Sequence, residues 1–450
     1  MTSVARPTAG TDTHGSPPVS GSSNTVRILV GDALSALTGL PDESVHCVVT
    51  SPPYWGLRDY GVEGTIGLEP TFGEHLDALV RVFGEVRRVL RRDGTLWLNY
   101  GDAYAGSWGA QSRGNPLVET SALWGGSVHA APKGTQTGST KRTGLKPKDL
   151  IMMPARIALA LQADGWWLRS EIVWHKPNPM PESVRDRPTS AHEKIFLLTK
   201  SARYFYDAEA VRTPPTERNG IRPRQSQPTG WATSESYRQA MPGRPAEPRT
   251  PDKQRGHGRR HAGFNDRWDG MPKQEQQAVG ANLRNVWPIA THPFPGAHFA
   301  TFPPKLVEPC IGAGSSVRGC CRECGAPWAR MLRVHDPEGR LGGSWHDNDP
   351  APRLARGRRN CPSGMRMPTR GTVGWQPTCE HDADPVPCTV LDPFGGAGTV
   401  GLVANRLGRD AILIELNPEY AEMSRDRIRD DAPLLAKVAV EEMCPRERTA

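Results

Sequence analysis

Val45-His46-Cys47-Val48-Val49-Thr50-Ser51-Pro52-Pro53-Tyr54-Trp55 is the stretch that decides how this chain reads. Val45 to Val49 is a short apolar run and reads as a buried strand. Two consecutive prolines cannot donate to a sheet ladder, and each holds φ at about −65°. The chain must therefore leave the sheet stiffly, with the carbonyls of Ser51 and Pro52 pointing outward and an aromatic ring just beyond. Two readings fit these residues. One is an ordinary proline-stiffened loop after a strand. The other is a rigid pair of acceptors beside a stacking ring, suited to gripping a planar base by its exocyclic amino group.

The flanking sequence alternates strands and helices, the signature of an α/β fold. Val26 to Val30 reads as a strand ending in Gly31-Asp32. From Glu74 to Arg92, apolar residues at Leu76, Leu79, Val80, Phe83, Val86 and Leu90 mark one face of an amphipathic helix. Asp93-Gly94 is expected to end it, and Thr95 to Tyr100 resumes as a strand. Ala105 to Lys148 is rich in Gly, Ser and Thr and reads as a long loop. Asp149 is expected to cap a second helix with Met153, Ile157 and Leu161 on one face. Strands follow around Leu168–Trp174 and Ile195–Thr199.

The whole chain has 450 residues, room for two or three domains and a sizeable core. Its net charge of +8 favours polyanionic partners. No apolar run approaches the ~20 residues that cross a bilayer. Residues 1–25 are Ser/Thr/Pro/Gly-rich without an apolar core, so they read as a disordered tail and not a signal peptide. Nine cysteines without such a signal point to a reducing compartment, and the expected location is the cytoplasm. Between Arg212 and Ala262 there are 11 Lys/Arg against 4 Asp/Glu with few aliphatics. That segment reads either as a disordered basic linker or as an arm that orders on phosphates.

Near the C-terminus, Thr389 to Thr399 reads as strand, glycine turn and helix, with Val400, Val403, Ala404 and Leu407 on the buried helix face. Gly396 and Gly398 allow a ligand to approach the backbone beside a helix N-terminus. A second strand, Asp410 to Ile414, ends in Glu415, placed to hold the two hydroxyls of a ribose.

With both halves in view, the chain resembles the amino-methylating DNA methyltransferases. Their catalytic motif, [D/N/S]-P-P-[Y/F], is Ser51-Pro52-Pro53-Tyr54 here, and their F-x-G-x-G cofactor motif is Phe394 to Gly398. The catalytic motif comes first, which is the order of the β group. Gly31-Asp32, the Arg169–Trp174 strand with His175-Lys176-Pro177, Ser183 to Thr189, and His298 to Pro303 match further family motifs. The resemblance implies a Rossmann-like α/β methyltransferase fold: a mixed, mostly parallel sheet with helices on both faces, circularly permuted motif order and irregular insertions. It also implies S-adenosylmethionine as cofactor, contacted by Asp32, Thr301, Phe302, Asp392, Phe394, Gly396, Gly398, Thr399 and Glu415. Ser51, Pro52, Pro53 and Tyr54 become the catalytic residues, acting on a base flipped out of duplex DNA. Serine in the first position is similar to the N4-cytosine enzymes, while aspartate is commoner among N6-adenine enzymes. The expected activity is thus site-specific methylation of cytosine N4. The alternatives are adenine N6 or an inactive zinc-containing DNA-binding protein. Double-stranded DNA is the expected partner, with no membrane; the presence of a cognate restriction endonuclease stays open, as do monomer and homodimer.

Cys321 and Cys324 form a C-x-x-C knuckle followed by Gly325, and Cys379 with His381 could complete a Cys₃His zinc site. Scattered thiols in a disordered insertion are the other reading, and Cys361 or Cys320 could replace one ligand. The expected organisation is a tail (1–25), a catalytic half (26–210), a basic target-recognition or disordered region (211–284) and a cofactor-flanking motif (285–310). A Cys-containing insertion (311–388), the cofactor half (389–432) and a C-terminal tail (433–450) complete it.

Overall fold

The computed structural model describes residues 24–56, 64–105, 144–213, 282–292, 301–335, 369–433 and 436–442. Residues 1–23 of the expected N-terminal tail, most of the 105–148 loop, residues 214–281 of the basic region, His298 to Ala300 and Cys361 lie outside the described residues, while Thr25, expected to end the tail, already begins a strand.

In chain order the elements are β1 (Thr25–Val30), α1 (Ala33–Thr38), β2 (Val45–Thr50), α2 (Phe72–Val89), β3 (Leu90–Tyr100), α3 (Met153–Ala163), β4 (Trp167–His175) and β5 (His192–Thr199). Then come β6 (Val286–Pro288), α4 (Pro304–Gly314), β7 (Cys320–Cys321), β8 (Ala329–His335), β9 (Thr369–Gln376) and β10 (Pro385–Val386). The cofactor half adds β11 (Thr389–Asp392), α5 (Thr399–Arg406), β12 (Asp410–Glu415), α6 (Pro418–Asp431) and β13 (Lys437–Glu442).

The chain divides into two compact units. The larger joins Met1–Val211, Arg284–Arg330 and Trp375–Ala450. It holds a nine-stranded sheet in the order β13-β1-β12-β11-β2-β3-β5-β4-β6. Only the β3–β5 and β5–β4 pairings are antiparallel, so the sheet is mixed and mostly parallel, as expected. The smaller unit joins Arg212–Leu283 and Met331–Gly374. Strands β8 and β9 pair in a two-stranded sheet of their own.

Strand β2 is buried along its whole length, the pattern of a parallel strand covered on both faces. Alternation then sorts its side chains. Val48 joins the cluster of Leu37, Leu79, Phe83, Val86 and Ile157, contributed by α1, α2 and α3. Cys47 points the other way, where its thiol lies 3.7 Å from the Cys310 carbonyl of α4. The last residue of α4 sits tightly on the sheet: a Cβ added at Gly314 would stand 2.4 Å from Thr95 Oγ1 and 2.7 Å from Cys47 Sγ.

Several expected boundaries move. Helix α2 starts earlier, with Thr71 accepting from the Glu74 N–H at 3.2 Å in the pattern of a capping box. It stops at Val89, so Asp93-Gly94 falls inside β3 and does not end the helix. The β2–β3 register jumps there, from Val45↔Leu90 to Cys47↔Thr95, and the extra residues bulge. Glycine suits the bulge, because a Cβ at Gly94 would lie 2.5 Å from Leu90 Cδ1. Asp149 does not cap α3. Its carboxylate accepts from Lys146 N at 3.2 Å, and Asp102 Oδ1 accepts from the first helical N–H, Met153, at 3.0 Å. A cap contributed from 51 residues away is invisible to a local reading. Helix α4 runs across the expected boundary at residue 310, because Leu306, Val307, Cys310 and Ile311 bury one continuous face. Part of the expected C-terminal tail forms β13, which pairs with β1 and is fastened by Arg27 to Glu441 through two 2.8 Å hydrogen bonds.

Gly314→Ala is expected to lower unfolding free energy by about 1–3 kcal/mol, the usual cost of overpacking a tight contact. Urea denaturation of the purified variant measures it, and wild-type stability would contradict the described α4–sheet packing.

Candidate active site

The C-terminal ends of β1, β2, β11 and β12 lie side by side on one edge of the sheet, because these strands pair in parallel. In open α/β sheets that edge is where ligands bind. A cavity of about 390 Å³ opens there. It is bordered by Ser51, Pro52, Pro53 and Tyr54 after β2, by Asp32 after β1, and by Thr301 and Phe302 before α4. Asp392, Phe394, Gly396, Thr399 and Glu415 close it from the cofactor half. Gly398 alone among the residues expected at these two sites does not border the cavity. It is the N-cap of α5 with φ 70°, and a Cβ there would meet Ser424 Oγ at 1.9 Å. Its service is backbone shape.

The two halves are joined at the cavity floor. Thr50 Oγ1 donates to Asp392 Oδ1 at 2.7 Å, and Phe394 N donates to the same oxygen at 3.1 Å. Asp392 is 2% exposed. Burial pushes its carboxyl up to about 7, against the opposing pull of the Thr50 and Phe394 hydrogen bonds. Glu415 is set by the turn it faces: Oε2 accepts from Gly396 N at 2.7 Å and Oε1 from Asn417 N at 2.9 Å. Burial raises this carboxyl also. Each Glu415 oxygen keeps a further lone pair, so the pair can still accept two hydroxyls.

Tyr54 packs its ring against Tyr100 with centroids 4.6 Å apart and 30° between planes. Gly101 makes room for it, since a Cβ there would stand 2.7 Å from Tyr54 Cε2. The Tyr54 hydroxyl donates to Glu193 Oε2 at 2.8 Å, and Ser51 Oγ lies 3.3 Å from that hydroxyl. Burial and the Glu193 charge hold the phenol well above its ordinary range.

Three residues around this motif carried no role in the sequence reading. Asn99 Nδ2 donates to Glu193 Oε2 at 2.9 Å and to the Tyr54 hydroxyl at 3.0 Å, and reaches Ser51 Oγ at 3.4 Å. A carboxylate cannot donate, so the amide must turn Nδ2 toward Glu193, which leaves Asn99 Oδ1 buried without a hydrogen-bond partner. Lys176 pairs with Glu193 Oε1 and sits 4.6 Å over the Trp174 ring. Both Lys176 and Glu193 border the cavity. The available signal was polar residues at strand ends: Asn99 next to last in β3, Lys176 just after β4 and Glu193 second in β5.

The expected metal ligands lie elsewhere. Cys321, Cys324, Cys379 and His381 come together with their ligand atoms all within 4.8 Å of one another, and none borders the cavity.

The sequence matches the N6/N4 family model described as DNA methylase over residues 45–321 and 388–426. The chain belongs to the DNA methylase family. Relatives of this DNA methylase include the type II methyltransferase M.XycI of Xanthomonas campestris pv. cyanopsidis, 35% identical over 412 residues, covering 91% of this chain and 89% of that protein. The type II methyltransferase M.SmaI of Serratia marcescens is 34% identical over 405 residues, covering 89% and 90%. Among solved structures, the cytosine-N4-specific PvuII DNA methyltransferase aligns at 16% identity over 95% of this chain and 99% of that chain, with a TM-score of 0.41. Among the described residues of this DNA methylase, no helix is long and apolar enough to cross a membrane.

The raised Asp392 carboxyl sets a pH dependence. The folded state holds this proton up to about 7, whereas an unfolded aspartate releases it near pH ~4. Between those values the native state binds more protons, so stability falls as pH rises, and the penalty is complete above pH 7. Asp392→Asn keeps an acceptor for Thr50 and removes the titration. Its stability relative to wild type is expected to rise by a few kcal/mol between pH 4 and pH 8, measured by urea unfolding without ligand. A pH-independent difference would contradict the assignment.

Proposed function

We propose that the chain is a site-specific DNA methyltransferase that moves a methyl group from S-adenosylmethionine to the exocyclic N4 of a cytosine flipped out of duplex DNA. One observation carries the reading: the Ser51–Tyr54 turn and the Phe394–Gly398 turn border a single cavity. A volume of about 390 Å³ suits a nucleoside-sized ligand.

The residues of the cofactor half fit that group. Glu415 has lone pairs for the ribose hydroxyls, and Gly396, with φ 50° and no side chain, lets a ligand lie against the backbone. Phe394 offers an apolar contact, and Asp32 and Thr301 supply polar atoms at the mouth. When bound, S-adenosylmethionine supplies an electrophilic methyl carbon and retains the electron pair of the broken carbon–sulfur bond.

The chain's own residues would prepare the acceptor. An exocyclic amine is a poor nucleophile because its lone pair is delocalised into the ring. Ser51 Oγ and the Pro52 carbonyl, accepting its two hydrogens, would push nitrogen toward sp³ and free that lone pair. The same oxygens stabilise the positive charge that grows on nitrogen during transfer. Tyr54 would stack on the base, its ring held by Tyr100, Glu193 and Asn99. Preset geometry supplies most of the acceleration. The amine sits inside the helix in duplex DNA, so the base must rotate out to reach this edge.

Ser51 is a neutral acceptor where the related adenine enzymes more often carry a carboxylate, and this favours cytosine N4 over adenine N6. Incubating the purified protein with labelled S-adenosylmethionine and duplex DNA, then digesting to nucleosides, tests both points. N4-methylcytosine is the expected product. N6-methyladenine would transfer the reading to the other base, and no transfer would overturn it. Ser51→Ala is expected to lower kcat about 10²–10³-fold, comparable with removing one transition-state hydrogen bond. Glu193→Gln keeps an acceptor for Tyr54 but breaks the charge pair with Lys176. A loss in kcat with unchanged cofactor affinity is expected, and a selective loss of cofactor affinity would move Glu193 to the other half of the site.

A further inference from the structure

Strands β7 and β10 pair antiparallel, Cys321 opposite Pro385 and Cys320 opposite Val386, so residues 322–384 leave and return through one gate. On the outgoing side, Cys321 N donates to Ala326 O and Gly325 N to Cys321 O, both at 2.8 Å, closing a tight knuckle in which Gly325 has φ 68°. On the returning side, Thr378 Oγ1 donates to Pro327 O at 2.7 Å and brings Cys379 and His381 against it. The ligand atoms of Cys321, Cys324, Cys379 and His381 consequently all lie within 4.8 Å of one another. A tetrahedron with zinc–sulfur bonds of ~2.3 Å needs its sulfurs about 3.8 Å apart, within easy side-chain reach of that arrangement.

We propose that Cys321, Cys324, Cys379 and His381 bind one zinc ion, which closes the gate and fastens it to strands β2 and β3. Three thiolates and an imidazole select zinc among the common divalent ions. Four protein ligands leave no open position, so the ion is structural.

The fastening runs through two side chains. Arg91 of β3 donates to Cys324 O at 2.7 Å, and a Cβ at Gly325 would crowd the same guanidinium at 2.6 Å. His46 of β2 hydrogen-bonds Gly325 O through Nε2 at 2.9 Å and accepts the Thr389 N–H on Nδ1 at 3.1 Å. A carbonyl only accepts, so Nε2 must carry the proton. One imidazole therefore links the knuckle to the first residue of β11.

A second group, His46, Cys320 and Cys388, is also compact and fully buried. Both nitrogens of His46 are spent on the bonds just described, so it has no lone pair left for a metal. Two thiols remain, and the ion belongs to the first group.

Metal content tests the site without reference to methyl transfer. Elemental analysis of the dialysed full-length protein is expected to give one zinc per chain. Cys324→Ser and Cys379→Ser should lose it, and Cys388→Ala should keep it. A metal-free wild type, or zinc lost in Cys388→Ala but kept in Cys379→Ser, would overturn the site. Should the ligand variants not fold, cobalt(II) exchanged into the wild type decides. Tetrahedral visible bands with a thiolate charge-transfer band are expected, and an octahedral spectrum overturns it. Chelation is further expected to speed amide exchange of the Thr389 N–H held by His46, and unchanged exchange would refute the fastening.

Discussion

The hydrogen bond from the Thr50 hydroxyl to the Asp392 carboxylate holds together two stretches of chain 342 residues apart. It sits at the open end of the β2–β11 pairing, where Cys47 lies opposite Val390 and Val48 opposite Leu391. Because that pairing is parallel, both strands point their C-terminal ends the same way and both turns face one cavity. A slip by one residue would send Val48 to the α4 face and Cys47 into the α1–α2 cluster. The cavity would then lose its shared floor along with the core. Site and packing are thus specified by the same two strands.

The chemistry on either side of this joint differs. On the cofactor side, two carboxyls, the buried Asp392 and the half-buried Glu415, spend their oxygens on backbone N–H groups and the Thr50 hydroxyl. On the base side, Asn99, Glu193, Lys176, Ser51 and Tyr54 share one polar network, with a single unpartnered atom at Asn99 Oδ1. Buried polar networks are stiff when satisfied, and a stiff wall preserves the orientation of the Tyr54 ring. The knuckle joins the same frame from outside through His46 and Arg91, away from the cavity.

What could be read from sequence follows the range of the interaction that encodes it. The Ser51–Tyr54 and Phe394–Gly398 turns and the acidic end of β12 are local patterns, and the structure brings them to one place. The C-x-x-C knuckle was legible for the same reason. Asn99 and Glu193 were not, because they meet only through the antiparallel register that sets Asn99 opposite Ile195. The cap of α3 by Asp102 and the β3 bulge at Gly94 were hidden likewise: each depends on a partner far along the chain. Strand β13 escaped notice because six residues with two valines fall short of a signal until β1 offers them an edge.

That edge has a consequence for how the protein comes into being. Strand β1 has no sheet neighbour except β12 and β13, and Thr25 finds its partner Asp410 only 385 residues later. A ribosome adding about 5–20 residues per second needs on the order of half a minute to cover that distance. Throughout it β1 is without the two strands that flank it in the sheet. The catalytic turn emerges early, and the strand that completes its cavity emerges late.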